Sequence, residues 1–194
     1  MASRVAVTMR SRLRQVVARL RGEYYRVRLG WFSSGRIQIG HGLRAFGPLE
    51  VRGPGRVVVG DHVTICRDPF HTEKVRLRLL GGGDAEIRIG DGVTLCGSQI
   101  AARKRVRVEA GAWVEDGLIL DSDFHEARGG SGAGDRNSAP AESAGTLATD
   151  PAAAEDIVIG EQAVVGTGAL VLRGAMVAKG SIVRPGSVVV RTAT

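Results

Sequence analysis

The chain has 194 residues, 43% hydrophobic and 24% charged, the composition of one soluble globular domain and not of a disordered chain. No apolar run approaches the roughly eighteen residues a membrane span requires, and the basic N-terminus lacks the continuous apolar stretch of a secretory signal, which points to the cytoplasm. The net charge of +7 is concentrated at one end: residues 1–36 hold nine Arg and one Glu, so the rest of the chain is close to neutral.

Aromatics are scarce at 4% and glycines number 28, which suits a core of small aliphatics and many tight turns. Two cysteines, Cys66 and Cys96, cannot make a disulfide framework and read as small buried hydrophobes. In chain order, residues 1–35 come first, as a basic amphipathic helix. Met9, Leu13, Val16, Val17, Leu20, Tyr24 and Val27 form one helical stripe, flanked by the rows Arg12–Arg19–Arg26 and Arg14–Arg21–Arg28. Two tasks fit it and are compatible. The helix could pack on the open end of the following domain, with arginine stems covering its rim. Residues 9–28 could instead be drawn to an anionic membrane surface, peripherally at the inner face. No aromatic-plus-basic platform accompanies the helix, so a nucleic-acid partner is not expected.

The second unit, residues 36–194, keeps a different beat. In "IGEQAVVGTGALVLRGAMVAKGSIVRPGSVV", Ile159, Val165, Val171, Val177, Val183 and Val189 recur every six residues. Small residues, Ala163, Ala169, Ala175, Ser181 and Ser187, follow four positions after the first five of them. A period of six fits neither a helix nor a long strand. It fits short strands joined by tight turns, each returning one aliphatic to a common interior, and so predicts an all-β parallel solenoid. The same beat is read in Ile39 and Val51, Val59 and Ile65, Ile89 and Leu95, and Val108, Val114 and Leu120.

The beat stops at "LILDSDFHEARGG". With Leu120 interior and Phe124 at a corner, an extended segment puts Asp121, Asp123 and His125 on one outward face. An imidazole beside carboxylates is a candidate general base, since a neighbouring carboxylate raises its basicity and holds one tautomer. Residues 126–156 are low in complexity and poor in large apolar side chains, which predicts a flexible loop, either a lid or a plain insertion.

"IVIGEQAVVGTGALVLRGAMVAKGSIVRPGSVV" resembles the hexapeptide repeat of left-handed β-helix acyltransferases, and is most similar to the branch of sugar and cell-surface polysaccharide O-acetyltransferases. The likeness covers residues 36–190. It implies a left-handed parallel β-helix with three hexads per coil, and a closed homotrimer whose active sites lie between subunits. It implies acyl transfer from acetyl-CoA, or another acyl-coenzyme A, to a hydroxyl of a sugar or glycan, with no metal. The family pattern, an aliphatic, then Asp or Thr, a short polar stretch and His, matches "ILDSDFH" and makes His125 the base. The same resemblance implies Gly166, Thr167 and Gly168 along the pantetheine arm, continued by Gly186 and Ser187, with Arg191 at the nucleotide phosphates. Val164 stands where an aromatic is common and Pro185 where a small residue is usual, and the chain stops at "VVVRTAT" without the tail that closes the groove. These departures bear on coenzyme contacts more than on the fold.

Rival functions remain open at this point. A carbonic-anhydrase-like relative of the same fold uses three histidines, but His41, His62, His71 and His125, spaced by 21, 9 and 54 residues, do not reproduce that arrangement. A solenoid that has lost activity and serves as a binding scaffold is the other alternative, and N-acylation of an amino sugar is a rival within the enzyme class.

Overall fold

The computed structural model describes residues 2–66, 74–122 and 154–191, with side chains from residue 12 onward. A long helix, α1 (Ala2–Phe32), is followed by short strands that fall into three parallel six-stranded sheets. The chain visits the sheets in turn, so each circuit adds one strand to each. The first sheet holds β1 (Ile37–Ile39), β4 (Arg56–Val59), β7 (Glu86–Ile89), β10 (Arg105–Val108), β13 (Ile157–Ile159) and β16 (Met176–Val177). The second holds β2 (Arg44–Ala45), β5 (Thr64–Cys66), β8 (Thr94–Cys96), β11 (Trp113–Glu115), β14 (Val164–Val165) and β17 (Ile182–Val183). The third holds β3 (Leu49–Arg52), β6 (Val75–Leu79), β9 (Gln99–Ala102), β12 (Leu118–Leu120), β15 (Leu170–Val171) and β18 (Val188–Val189). This is a parallel β-helix, the architecture predicted from the six-residue beat.

Strict register stacks one aliphatic column inside each sheet. Val59, Ile89, Val108 and Ile159 pair successively in the first, and Ile65, Leu95, Val114 and Val165 in the second. Their side chains are almost wholly buried. β-branched residues suit such positions because their stiff side chains pack well on a pleated surface. Ala163, Ala169 and Ala175 are fully buried at the corners of the later coils, and in the earlier coils the corner equivalent to Ala163 holds the larger Leu43, Val63 and Val93, also buried. At the corners from first to second sheet one residue takes the left-handed conformation in every circuit, from Gly42 (φ 69°) to Gly180 (φ 67°), with His62 and Gln162 as the non-glycine occupants.

The third sheet corrects one assignment. Its interior column is Leu77, Ile100, Ile119 and Val171, so the interior residue before the break is Ile119 and not Leu120. Leu120 pairs with Ala101 at the far end of the strand. The reason is a shortened corner: Gly97 (φ 60°) and Asp116 (φ 44°) turn the chain from second to third sheet one residue early in these two circuits.

The helix packs on the open end of the domain, one of the two tasks expected of it, but not through the predicted stripe. It covers the end of the β-helix built from β1 and β2. The residues it turns inward are Ala18 and Gly22, buried, and Tyr25 and Leu29, partly buried. A methyl group on Gly22 would land on the Leu43 carbonyl, so the close approach depends on glycine. The Tyr25 hydroxyl accepts the Leu49 N–H at 3.3 Å. The predicted stripe, from Leu13 to Val27, is exposed; most of it faces away, while Leu13 and Val17 also border a cavity with Ala18, Ala45, Phe46 and Cys66.

Candidate active site

After Ser122, at the edge between third and first sheets, the described chain of one coil breaks off, and it resumes at Ala154 at the same edge. Asp121 anchors the exit. Its side chain is fully buried, and its two oxygens accept the backbone N–H groups of Arg103 and Lys104, each at 2.7 Å. Its own carbonyl accepts the Glu155 N–H at 3.1 Å, tying the exit directly to the returning chain. Burial pushes the Asp121 carboxyl above the ordinary aspartate range, against the pull of the Arg103, Lys104 and Arg105 amides and of the Arg103 charge. Asp121 is therefore not on an outward face. Its carboxylate is spent on holding the turn of the preceding coil.

The return is held as well. Ala154 is buried, and Asp156 pairs with Lys104 and Arg105, both at 3.3 Å. Residues 154–156, assigned to the flexible loop on composition, thus belong to the base of the insertion. Asp123, Phe124, His125 and the loop up to residue 153 lie outside the described residues, as does His71.

The residues expected to line a coenzyme divide between two edges. Gly166, Thr167, Gly168, Gly186 and Ser187 stack at the edge between second and third sheets, where the Gly186 N–H donates to the Thr167 carbonyl at 2.9 Å. Gly168 (φ 68°) and Gly186 (φ 67°) occupy left-handed turn positions facing open space. Gly166 has a packing role: a Cβ there would sit 2.9 Å from Pro185 N and Cδ, so the unusual proline is seated over the missing side chain. The Ser187 hydroxyl donates to the Arg184 carbonyl at 2.6 Å. Arg191 is at the other edge, beside the insertion, and its guanidinium pairs with Glu155 at 2.9 Å.

Glu155 and the amides of Arg103 and Lys104 are members of this cluster that the repeat pattern does not mark. Glu155 ends a low-complexity stretch, so no periodicity places it. Upstream, Ser98 is buried with its hydroxyl between the Cys96 and Val114 carbonyls, at 3.1 and 2.9 Å. Cys66 and Cys96 are register neighbours with no disulfide between them; a hydrogen bond from Cys96 draws the Cys66 thiol below its ordinary range, with burial and the Glu115 charge opposing. His41 and His62 are exposed at stacked turns, where the His62 N–H donates to the His41 carbonyl at 2.8 Å. Among the described residues no cluster of three or more His, Cys, Asp or Glu could hold a metal ion.

The outer surface of the later coils is apolar along two columns. Trp113, Val164 and Ile182 align on the second sheet and Leu118, Leu170 and Val188 on the third, on either side of the glycine-lined edge. In earlier coils the same columns carry Arg44, Thr64 and Thr94, and Glu50, Arg76 and Gln99. No helix among the described residues is long and apolar enough to cross a membrane. Compared with protein-family models, with curated proteins and with solved structures, the chain matches none.

Proposed function

We propose that the protein transfers an acyl group, acetyl in the simplest case, from acyl-coenzyme A to a hydroxyl of a sugar or cell-surface glycan, as a homotrimer of left-handed β-helices. The observation that carries this reading is the locked base of the insertion. Asp121, Glu155 and the Arg103–Lys104 turn clamp the point from which "DSDFH" departs, and the resemblance of that motif to the acyltransferase pattern makes His125 the general base. A base must be held within hydrogen-bond reach of its proton, and a clamped exit two residues before Asp123 serves that need.

The chemistry then needs few parts. His125 takes the proton of the acceptor hydroxyl as its oxygen attacks the thioester carbonyl, and Asp123 orients and polarises the imidazole. Backbone N–H groups stabilise the tetrahedral oxyanion. Collapse breaks the carbon–sulfur bond, and the coenzyme thiolate recovers the proton from the imidazolium. Asp121 acts as a positioning residue and does not touch the reacting atoms.

The coenzyme would lie along Gly166–Gly168 and Gly186–Ser187, and Arg191, which sits at the other edge of its own subunit beside Glu155, would reach the phosphates of a coenzyme held by a neighbouring subunit. Because those glycines and His125's point of departure sit at different edges of one coil, a complete site requires a second subunit to bring its own edge alongside. The apolar columns flanking the glycine edge supply a surface for that contact, and a closed three-fold ring satisfies it in every subunit. The test is release of free coenzyme thiol from acetyl-CoA across a panel of sugars and nucleotide sugars. Acceptor-dependent release that vanishes in His125→Ala supports the reading. Release that is absent over the whole panel, or unchanged in the variant, refutes it.

A further inference from the structure

We propose that the outward face of α1 docks the protein on an anionic lipid bilayer, independently of any acyl transfer. At about 100° per residue, the inward-facing Ala18, Gly22, Tyr25 and Leu29 fall within an arc of roughly 60°. Leu13, Val16, Leu20, Tyr24, Val27 and Trp31 occupy the opposite side. They are among the most exposed apolar side chains of the chain, with Leu13 at 65%, Leu20 at 66% and Trp31 at 82%. Packing against the β-helix has therefore used the face of Ala18, Gly22, Tyr25 and Leu29 and left the apolar stripe uncovered. Monomeric surfaces seldom leave a contiguous apolar patch of this kind without a partner.

The charges around the stripe decide which partner. Arg12, Arg19 and Arg26 run along one flank and Arg14, Arg21 and Arg28 along the other, between the uncovered stripe and the packed face. Arg26 pairs with Glu23, Arg28 donates to the Tyr24 hydroxyl and Arg21 to the Phe46 carbonyl. Arg12, Arg14 and Arg19 have no hydrogen-bonding or ionic partner among the described residues. An apolar stripe bordered on both sides by cations is the cross-section of a helix lying in a bilayer surface, its stripe among the acyl chains and its guanidinium groups among phosphates. A second copy is the poorer occupant, because it would bring an identical double row of arginines against this one. A shallow groove of about 340 Å³ between Tyr24, Val27, Arg28, Trp31 and Phe32 extends the apolar surface to the end of the helix.

The experiment is flotation of the full chain with neutral phosphatidylcholine vesicles and with vesicles in which a third of the lipid is phosphatidylglycerol. Binding to the anionic vesicles alone, reversed by high salt, is expected. Each basic residue near such a surface is worth about fivefold in partition, so Arg12→Gln/Arg14→Gln/Arg19→Gln should weaken binding about a hundredfold. Leu20→Ser/Val27→Ser should weaken it at least tenfold. These side chains are exposed, so thermal midpoints should stay at the parent value. Absence of binding, or equal binding to both vesicles, overturns the proposal. So does a Leu20→Ser/Val27→Ser protein that floats normally but sediments at a lower mass, which would make the face a subunit contact.

Discussion

Replacing Asp121 should loosen the base of the insertion before it disturbs the rest of the β-helix. Asp121→Ala removes both acceptors for the Arg103 and Lys104 amides and leaves a small void in a fully buried site. Hydrogen bonds to a charged acceptor are worth about 1.5–3 kcal/mol each, but these amides sit on a partly exposed turn and water can replace part of the loss. The carboxylate's own burial is unfavourable and is relieved on substitution, so about 2–4 kcal/mol remains as the net cost. Asp121→Asn keeps one acceptor and the volume, and should cost about 1 kcal/mol. The sign of the pH dependence follows from the raised carboxyl. A group that holds its proton more tightly when folded adds stability that is complete below the unfolded pKa and is lost as pH rises through the folded one. The parent should therefore gain on Asp121→Asn as pH is lowered from neutrality toward the ordinary aspartate range. Urea titrations of the three proteins at neutral and mildly acidic pH measure all of this, and hydrogen exchange at Arg103, Lys104 and Glu155 localises it. Equal midpoints for parent and Asp121→Ala, or a parent that loses ground to Asp121→Asn on acidification, would refute the reasoning.

Other outcomes are expected elsewhere in the molecule. His125→Ala should lower the acyl-transfer rate by about 10²–10⁴-fold at unchanged thermal stability, and abolish the single ionisation in its pH profile, as read by coenzyme release. Leu170→Glu/Ile182→Glu should convert a trimer to monomer in analytical ultracentrifugation and remove activity with it; a trimer that survives shows that the apolar columns are not the subunit contact. Gly166→Ala drives a methyl group into Pro185 and should cost about 1–3 kcal/mol by thermal unfolding, partly restored when Pro185→Ala is added. Gly22→Ala should release α1 from Leu43, read as faster proteolysis within residues 1–35, while the β-helix melts close to the parent temperature.

The repeating coil was legible in the amino-acid sequence because its cause is local and periodic. Each circuit needs an aliphatic inward in every sheet and a residue tolerant of positive φ at the turn from first to second sheet, and in the later coils those demands recur every six residues together with a small corner residue. The break at "LILDSDFH" was legible for the same reason, as the place where the recurrence fails. The inward residue before the break was not. Leu118, Ile119 and Leu120 are all aliphatic, and only the shortened turn at Asp116 selects Ile119, a backbone choice that hydrophobicity does not record. Nor could composition separate Asp121 from Asp123. Asp121 is buried because two amides one coil earlier converge on it, a contact between Asp121 and residues 103 and 104 that exists only once the coils stack. For α1, the pattern of residues named the apolar face, but the face that packs was decided by distance of approach. Ala18 and Gly22 allow the helix backbone to rest against Leu43, where the bulk of Leu13, Leu20 or Val27 would hold it away, with Tyr25 and Leu29 packing beside them and the stripe left exposed.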